Sequence, residues 1–390
     1  MGLVGIILFL KIWYVHPDST LNRIRTALDS CRSGDTVLVA AGTYYENIRW
    51  PSTAGIKLWS ESGPDSTIID GSNNGSVIEI TTGVDTATVI SGFTIQWGYN
   101  DDGGGIFCDS SSPQIVNNII QDNTARYLLY FGNGGGIYCR RSSPIIKDNI
   151  IMRNSAGDNG GGIYCRENSA PIIIGNRIEY NTAENTRGGG ISCNYSSPFI
   201  KENVISGNKG LIAGGISCQG SSPMIDSCTI SYNTGGGVYC DEGSQPELHF
   251  CDIYGNFYYG VENVDSTVII NAEYNWWGDK TGPYHPETNP NGRGDPVSDW
   301  VDYEPWLGSQ VELGDWRLKR VSSHPAWLIH GPGVVISLPP GCNQAFLYDA
   351  AGRVMGRITA ITKFRLSPGC YFLLFISPKE RWVEKLVVIE

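Results

Sequence analysis

Charge is scarce in this chain. Asp, Glu, Lys and Arg supply 17% of its 390 residues, and acids exceed bases by 11. A chain so poor in bases offers no broad electrostatic footprint for nucleic acid or an anionic membrane. Long apolar runs are short of what a bilayer needs. The run at the start, Gly2 to Leu10, covers nine residues and cannot span one. No basic residue precedes it and no small-residue cleavage site follows. Residues 1–12 therefore read either as the remnant of a signal-peptide core or as a first strand. Metal-ligand spacing is missing as well. None of the 11 Cys forms a C-x-x-C pair, and the five His (16, 249, 285, 324, 330) do not cluster with them. That pattern gives no support to a zinc site. Helical periodicity is absent throughout residues 103–256.

What fills that stretch is repetition. Gly103-Gly104-Gly105-Ile106-Phe107-Cys108 is followed by the same pattern ending at Cys139, Cys165, Cys193, Cys218 and Cys240. Five or six residues after each Cys stands Pro113, Pro144, Pro171, Pro198, Pro223 or Pro246. Five residues after each Pro comes Asn118, Asn149, Asn176, Asn203, Cys228 or Cys251. Ten after each Pro comes Asn123, Asn154, Asn181, Asn208, Asn233 or Asn256. The Cys-to-Cys period is 31, 26, 28, 25 and 22 residues, with three short apolar or β-branched runs in each. Such a unit buries one face of each strand only, so it must stack on its neighbours and share their core. The fold class is all-β: a parallel β-helix with three strands per coil. The ten-after-Pro Asn residues should form a side-chain ladder at one corner, in the left-handed conformation that a corner requires. The repeat Cys, two residues after an inward Ile or Val, should stack as a buried column of small apolar groups. Cys228 with Cys251, and Cys342 with Cys370, are the pairs to test for disulfides.

Before the repeats, Leu21, Ile24, Leu28 and Cys31 fall on one helical face, with Ser19 or Thr20 as N-cap. A short helix there would cover the open end of the stack, which is otherwise an unpaired edge. Together with Tyr14-Val15-His16-Pro17, Gly34-Asp35-Thr36-Val37, Gly42-Thr43-Tyr44-Tyr45-Glu46-Asn47, Ile69-Asp70-Gly71 and Ile90-Ser91-Gly92-Phe93-Thr94-Ile95, this region resembles the N-terminal coils of right-handed β-helix proteins of the pectin-lyase-like superfamily. The segment from Asn275-Trp276-Trp277-Gly278-Asp279 to Pro305-Trp306-Leu307 resembles the terminal wrap of bacterial members. In it Trp rings should plug the last coil while Pro forbids another strand. Arg293-Gly294-Asp295 spells an adhesion tripeptide there, which inside this Gly/Pro pattern reads as coincidence. The resemblance covers residues 13–308.

Residues 309–325 read as a linker and residues 326–390 as a small β-sandwich. Phe346-Leu347-Tyr348-Asp349, Ala351-Gly352-Arg353-Val354, the run Leu366 to Leu373 and Lys385-Leu386-Val387-Val388-Ile389 are its expected strands. These resemble the C-terminal sorting domain of type IX secretion cargo, with His324-Pro325 in place of the usual Asn-Pro. The resemblance implies the type IX machinery as partner and the outer-membrane surface of a Gram-negative bacterium, or release from it, as destination.

Length variation points to the working face. Between each ladder Asn and the next Gly run, which in one unit reads Ala213-Gly214-Gly215, the inserts are 10, 5, 6, 4 and 1 residues long, all at one corner. Tyr99, Tyr127, Tyr130 and Phe131 lie in or beside them, and Phe107, Tyr138 and Tyr164 should face outward on the adjoining strand. These seven rings are candidate ligand contacts for a polysaccharide or cell-surface glycan; the competing reading is that they pack on one another. Asp101, Asp102 and Asp158, with Arg140 and Arg166, are the candidate catalytic residues, and Asp101 with Asp102 the candidate Ca²⁺ ligands. No lyase or hydrolase signature matches residue by residue, and the fold alone grants no activity. The sequence therefore reads as a non-catalytic secreted or surface protein that binds polysaccharide or acts in adhesion. A lyase or hydrolase of acidic polysaccharide is the second reading, and a structural spacer the third.

Overall fold

The computed structural model describes residues 10–126 and 131–310, and the backbone of seven strands between 327 and 389. The chain divides into two compact units, 1–311 and 312–390. The first is a parallel β-solenoid. Every strand pairing within it is parallel and in register, coil on coil. The runs after each Pro build a 12-stranded sheet, while the Ile-x-Cys runs and the runs before each ladder Asn build two nine-stranded sheets.

A fourth sheet was not expected. Tyr99–Asn100, Thr124–Ala125, Ser155–Ala156 and Thr182–Ala183 form four two-residue strands just after the ladder corner. Two residues are too few to show periodicity, so the sequence gives no sign of them.

The interior is apolar. Successive inward positions are mostly Ile, with Val and Leu among them, and all six repeat Cys are fully buried free thiols in register, Cys108 to Cys240. The expected column is present. Cys228 and Cys251 are also buried free thiols, so no disulfide joins them; the Cys251 sulfur accepts from the Cys228 N–H at 3.4 Å. Cys342 lies outside the described residues.

Polar ladders hold the corners, and there are more than one. Asn123, Asn154, Asn181, Asn208, Asn233 and Asn256 form the expected ladder, each side-chain amide donating to the next coil's carbonyl oxygen at 3.0–3.1 Å. Asn118, Asn149, Asn176 and Asn203 form a second at 2.9–3.2 Å. Ser111, Ser142, Ser169, Ser196, Ser221 and Ser244 form a third, each backbone N–H donating to the next hydroxyl. The left-handed residue is not the Asn but the one before it: Asp122 (φ 53°), Arg153 (53°), Tyr180 (55°) and Tyr232 (55°). Asn is needed inside the corner because a buried amide bonds both coils at once.

The helix differs from expectation at its start. It spans Ile24–Asp29, follows Arg23, and has no side-chain cap of its own. The buried Glu46 carboxylate instead accepts from the Ile24 N–H at 2.8 Å and the Arg25 N–H at 3.1 Å. A carboxylate from the next coil thus satisfies two of the helix's orphan donors. Ile24, Ala27 and Leu28 join the solenoid core.

At the other end Trp277 is fully buried. Pro does not forbid a further strand: Val301–Asp302 pairs with Ile270–Asn271 as the last strand of the largest sheet. Asp295 explains the adhesion-like tripeptide. Its carboxylate accepts from Gly255 N–H, Asn256 N–H and the Asn256 amide at 2.7–2.9 Å and so terminates the first ladder.

In the second unit, strands Trp327–His330, Arg381–Ile389, Gly369–Ile376, Gln344–Asp349 and Val354–Ile358 form one sheet in that order, the first pair parallel and the rest antiparallel. Gly333–Ile336 pairs antiparallel with Thr362–Arg365. The face-to-face packing of a sandwich rests on side chains outside those described, as do the expected linker residues 311–325. No helix among the described residues is long and apolar enough to cross a membrane.

Candidate functional site

The Ile-x-Cys sheet carries two outward rows beside the insert corner. The first runs Phe107, Tyr138, Tyr164, Ser192, Ser217, Tyr239, Glu262. The second runs Asp109, Arg140, Arg166, Asn194, Gln219, Asp241. Outward does not mean exposed. Tyr138 is 1% and Tyr164 3% exposed, their rings 5.1 Å apart and stacked. Phe107 is half-buried against Tyr138, with ring centroids 5.3 Å apart. Burial pushes the Tyr138 hydroxyl up to about 12.

The Gly run does the covering. Gly134 sits at φ +68°, and a Cβ there would lie 2.6 Å from the Tyr138 Cβ. In the same way Gly103 lies on Phe107 and Gly160 on Tyr164, so these three coils fold a Gly down on the outer ring. Gly136 stands where a Cβ would meet the Gly162 carbonyl oxygen at 2.6 Å, so the run also packs on the coil above. The sequence signal was the Gly run itself, which marks close backbone approach rather than a mobile loop.

Tyr138 and Tyr164 are thus packing residues, and Phe107 is partly so. Tyr99 is 42% and Phe131 61% exposed, and both can offer a ring. Tyr127 and Tyr130 lie outside the described residues. Asp101 is exposed and Asp158 half-buried. Asp102 heads a further ladder: its carboxylate accepts from the Asn133 N–H and amide at 3.1 and 3.0 Å, Asn159 donates to Asn133, and Thr186 to Asn159. With one oxygen so engaged and no group of three His, Cys, Asp or Glu among the described residues, Asp101 and Asp102 do not fit a Ca²⁺ site, which needs six or more oxygens.

The arginines do come together. Arg140 and Arg166 are register neighbours, and Arg140 and Arg141 both donate to Asp109, at 2.6 and 2.7 Å. Burial on its own would raise the Asp109 carboxyl, but hydrogen bonds from Arg140, Arg141 and Ser110 outweigh it and hold the group below its usual value. Arg141 and Arg166 both approach Glu167, at 3.8 and 3.4 Å. Three guanidiniums on adjacent coils thus share two carboxylates.

Two longer links cross the face. Arg126 pairs with Glu184 and Arg187 with Asp241, each two coils apart. The Arg187 guanidinium also lies 5.1 Å from the Tyr239 ring centre. Burial raises the Asp241 carboxyl against the pull of Arg187, and burial raises Glu262. Sequence reasoning missed Asp241 and Glu262, because they sit beyond the last long insert and share a face only through register.

A family model described as a right handed beta helix region matches residues 54–218 and 212–276, more than half of the chain. No curated protein and no solved structure matches it.

Proposed function

The chain belongs to the right-handed β-helix family, and from that premise we propose that it is a secreted or cell-surface protein that holds an acidic polysaccharide without cleaving it. The arginine cluster carries this reading. In a chain of net charge −11, Arg140, Arg141 and Arg166 gather on one outward face with two carboxylates between them. Guanidiniums take carboxylates in bidentate fashion. The coil rise of about 4.8 Å is close to the length of one sugar unit, so successive coils meet successive uronates. Tyr99 and Phe131 add exposed rings at the insert corner.

The test is calorimetric titration of the full chain with hexagalacturonate, in calcium and in chelator, while following absorbance of unsaturated product. Binding in both buffers, weakened about tenfold by Arg166→Ala and by added salt, with no product, is the expected result. Silence on this probe sinks the reading and favours a spacer.

A hydrolase is the second reading. It is favoured by Asp241 and Glu262, two carboxyls that burial raises and that flank Tyr239 on neighbouring coils. Reducing-sugar release abolished by Glu262→Gln would establish it. We assign residues 326–390 to export through the type IX machinery; cells expressing a chain cut after residue 325 should lose surface display, and retained display would refute that role.

A further inference from the structure

The column of outward rings has a gap. Between Tyr164 and Tyr239 the row holds only Ser192 and Ser217, so two coils carry a hydroxyl where their neighbours carry a ring. The Arg187 side chain spans the same two coils, reaching Asp241 beyond them and lying against the Tyr239 ring. Ser217 is 1% exposed and its hydroxyl has no hydrogen-bond partner within the protein. Asp241 is 9% exposed; one carboxylate oxygen meets Arg187, and the other, Oδ1, has no partner within the protein. Leaving such groups unsatisfied is costly, and a fold keeps them where they are used.

The chemistry of the gap selects its occupant. A cation meets Arg187. An anion meets Asp241, with Glu262 one register position from Tyr239 and Glu242 next in the chain. An apolar group leaves both orphan atoms unsatisfied. A neutral group carrying several hydroxyls satisfies them, donating to Asp241 Oδ1 and exchanging a hydrogen bond with Ser217 Oγ, while its C–H face lies on Tyr239.

We propose that the gap framed by Ser192, Ser217, Tyr239 and Asp241 is a binding subsite for a neutral sugar unit, occupied in the free protein by the Arg187 guanidinium. The second outward row supports the same division. It passes from Arg140 and Arg166 through the amides Asn194 and Gln219 to Asp241. A chain laid along the face meets cations, then amides, then a carboxylate. Its ligand is a heteropolysaccharide whose uronate-bearing part lies over Cys139 and Cys165 and whose neutral part lies over Cys218 and Cys240. This inference rests on the polysaccharide reading above and adds polarity to it.

The experiment titrates the full chain with galactohexaose, mannohexaose and xylohexaose, and separately with hexagalacturonate. At least one neutral probe should bind. Its dissociation constant should rise about tenfold in Ser217→Ala and in Asp241→Asn, while hexagalacturonate binding is unmoved by Ser217→Ala. Arg187→Ala, which empties the gap, should tighten the neutral probe. Ser217→Ala removes one buried oxygen, so it should melt no lower than the parent, and its loss of binding is not a folding defect. If hexagalacturonate binds and no neutral probe binds either the parent or Arg187→Ala, the gap is not a subsite and the acidic reading stands. If neither class binds, both fall.

Discussion

Tyr180 stands at φ 55° with its ring 63% exposed, a backbone state that costs an L-residue about 1–2 kcal/mol. The next coil has Gly207 at the matching corner, and a Cβ there would lie 2.8 Å from the Tyr180 ring. Tyr232 covers Gly255 in the same way at 2.7 Å. Ring and glycine therefore alternate along the corner, one supplying the cover that the other leaves room for. Gly207→Ala should destabilise by about 1–2 kcal/mol in denaturant titration, and Tyr180→Ser should recover part of that loss. An equal loss in both backgrounds would show that the ring contact contributes nothing. Glu262 offers a test of opposite sign. Its carboxyl is raised by burial, so ionisation weakens the fold: the penalty is absent below about pH 4.3, grows as pH climbs through the folded value and is complete above it. Glu262→Gln should accordingly raise the melting temperature at pH 7 and leave it unchanged at pH 3.5.

Along a single sheet, what was legible depended on which side of the strand was read. The inward side followed from alternation: Ile106, Cys108 and their equivalents are buried as the spacing required. The outward side did not, since Tyr138 looks the same in sequence whether water or a folded-down Gly134 lies above it. The ladder Asn residues were read correctly as a corner, but their left-handed neighbours were not, because Asp122, Arg153 and Tyr180 share no chemistry that marks the position. The coil period alone sets Arg140 beside Arg166; the Arg187–Asp241 link, which skips a coil, leaves no such sign in the sequence. Nine of the 11 cysteines are buried free thiols, and burial pushes Cys108 up to about 12. At pH 8 native protein should therefore release at most two equivalents with an aromatic disulfide reagent, the remainder appearing only on unfolding. Rapid reaction of more than two in the folded state would contradict the buried column.

Over the whole solenoid, each coil pairs its backbone only with its two neighbours, and its length is free wherever the insert varies. Removal of residues 166–193 joins Cys165 to Asn194, one full repeat, and preserves every ladder with one rung fewer. That chain should fold to a cooperative unit about 4.8 Å shorter, whereas a cut of half a repeat should give insoluble protein. Circular dichroism and a melt distinguish the two, and equal behaviour would refute the register-based account. The backbone pairings and the Asn and Ser ladders all run from coil to coil. The solenoid is consequently an anisotropic material. Pulled apart at its ends, it carries the load through one coil-to-coil junction after another, in series, and should yield in steps of one repeat. Sheared across its width, the same bonds act in parallel and resist together. A stack built this way tolerates sideways shear far better than traction along its axis.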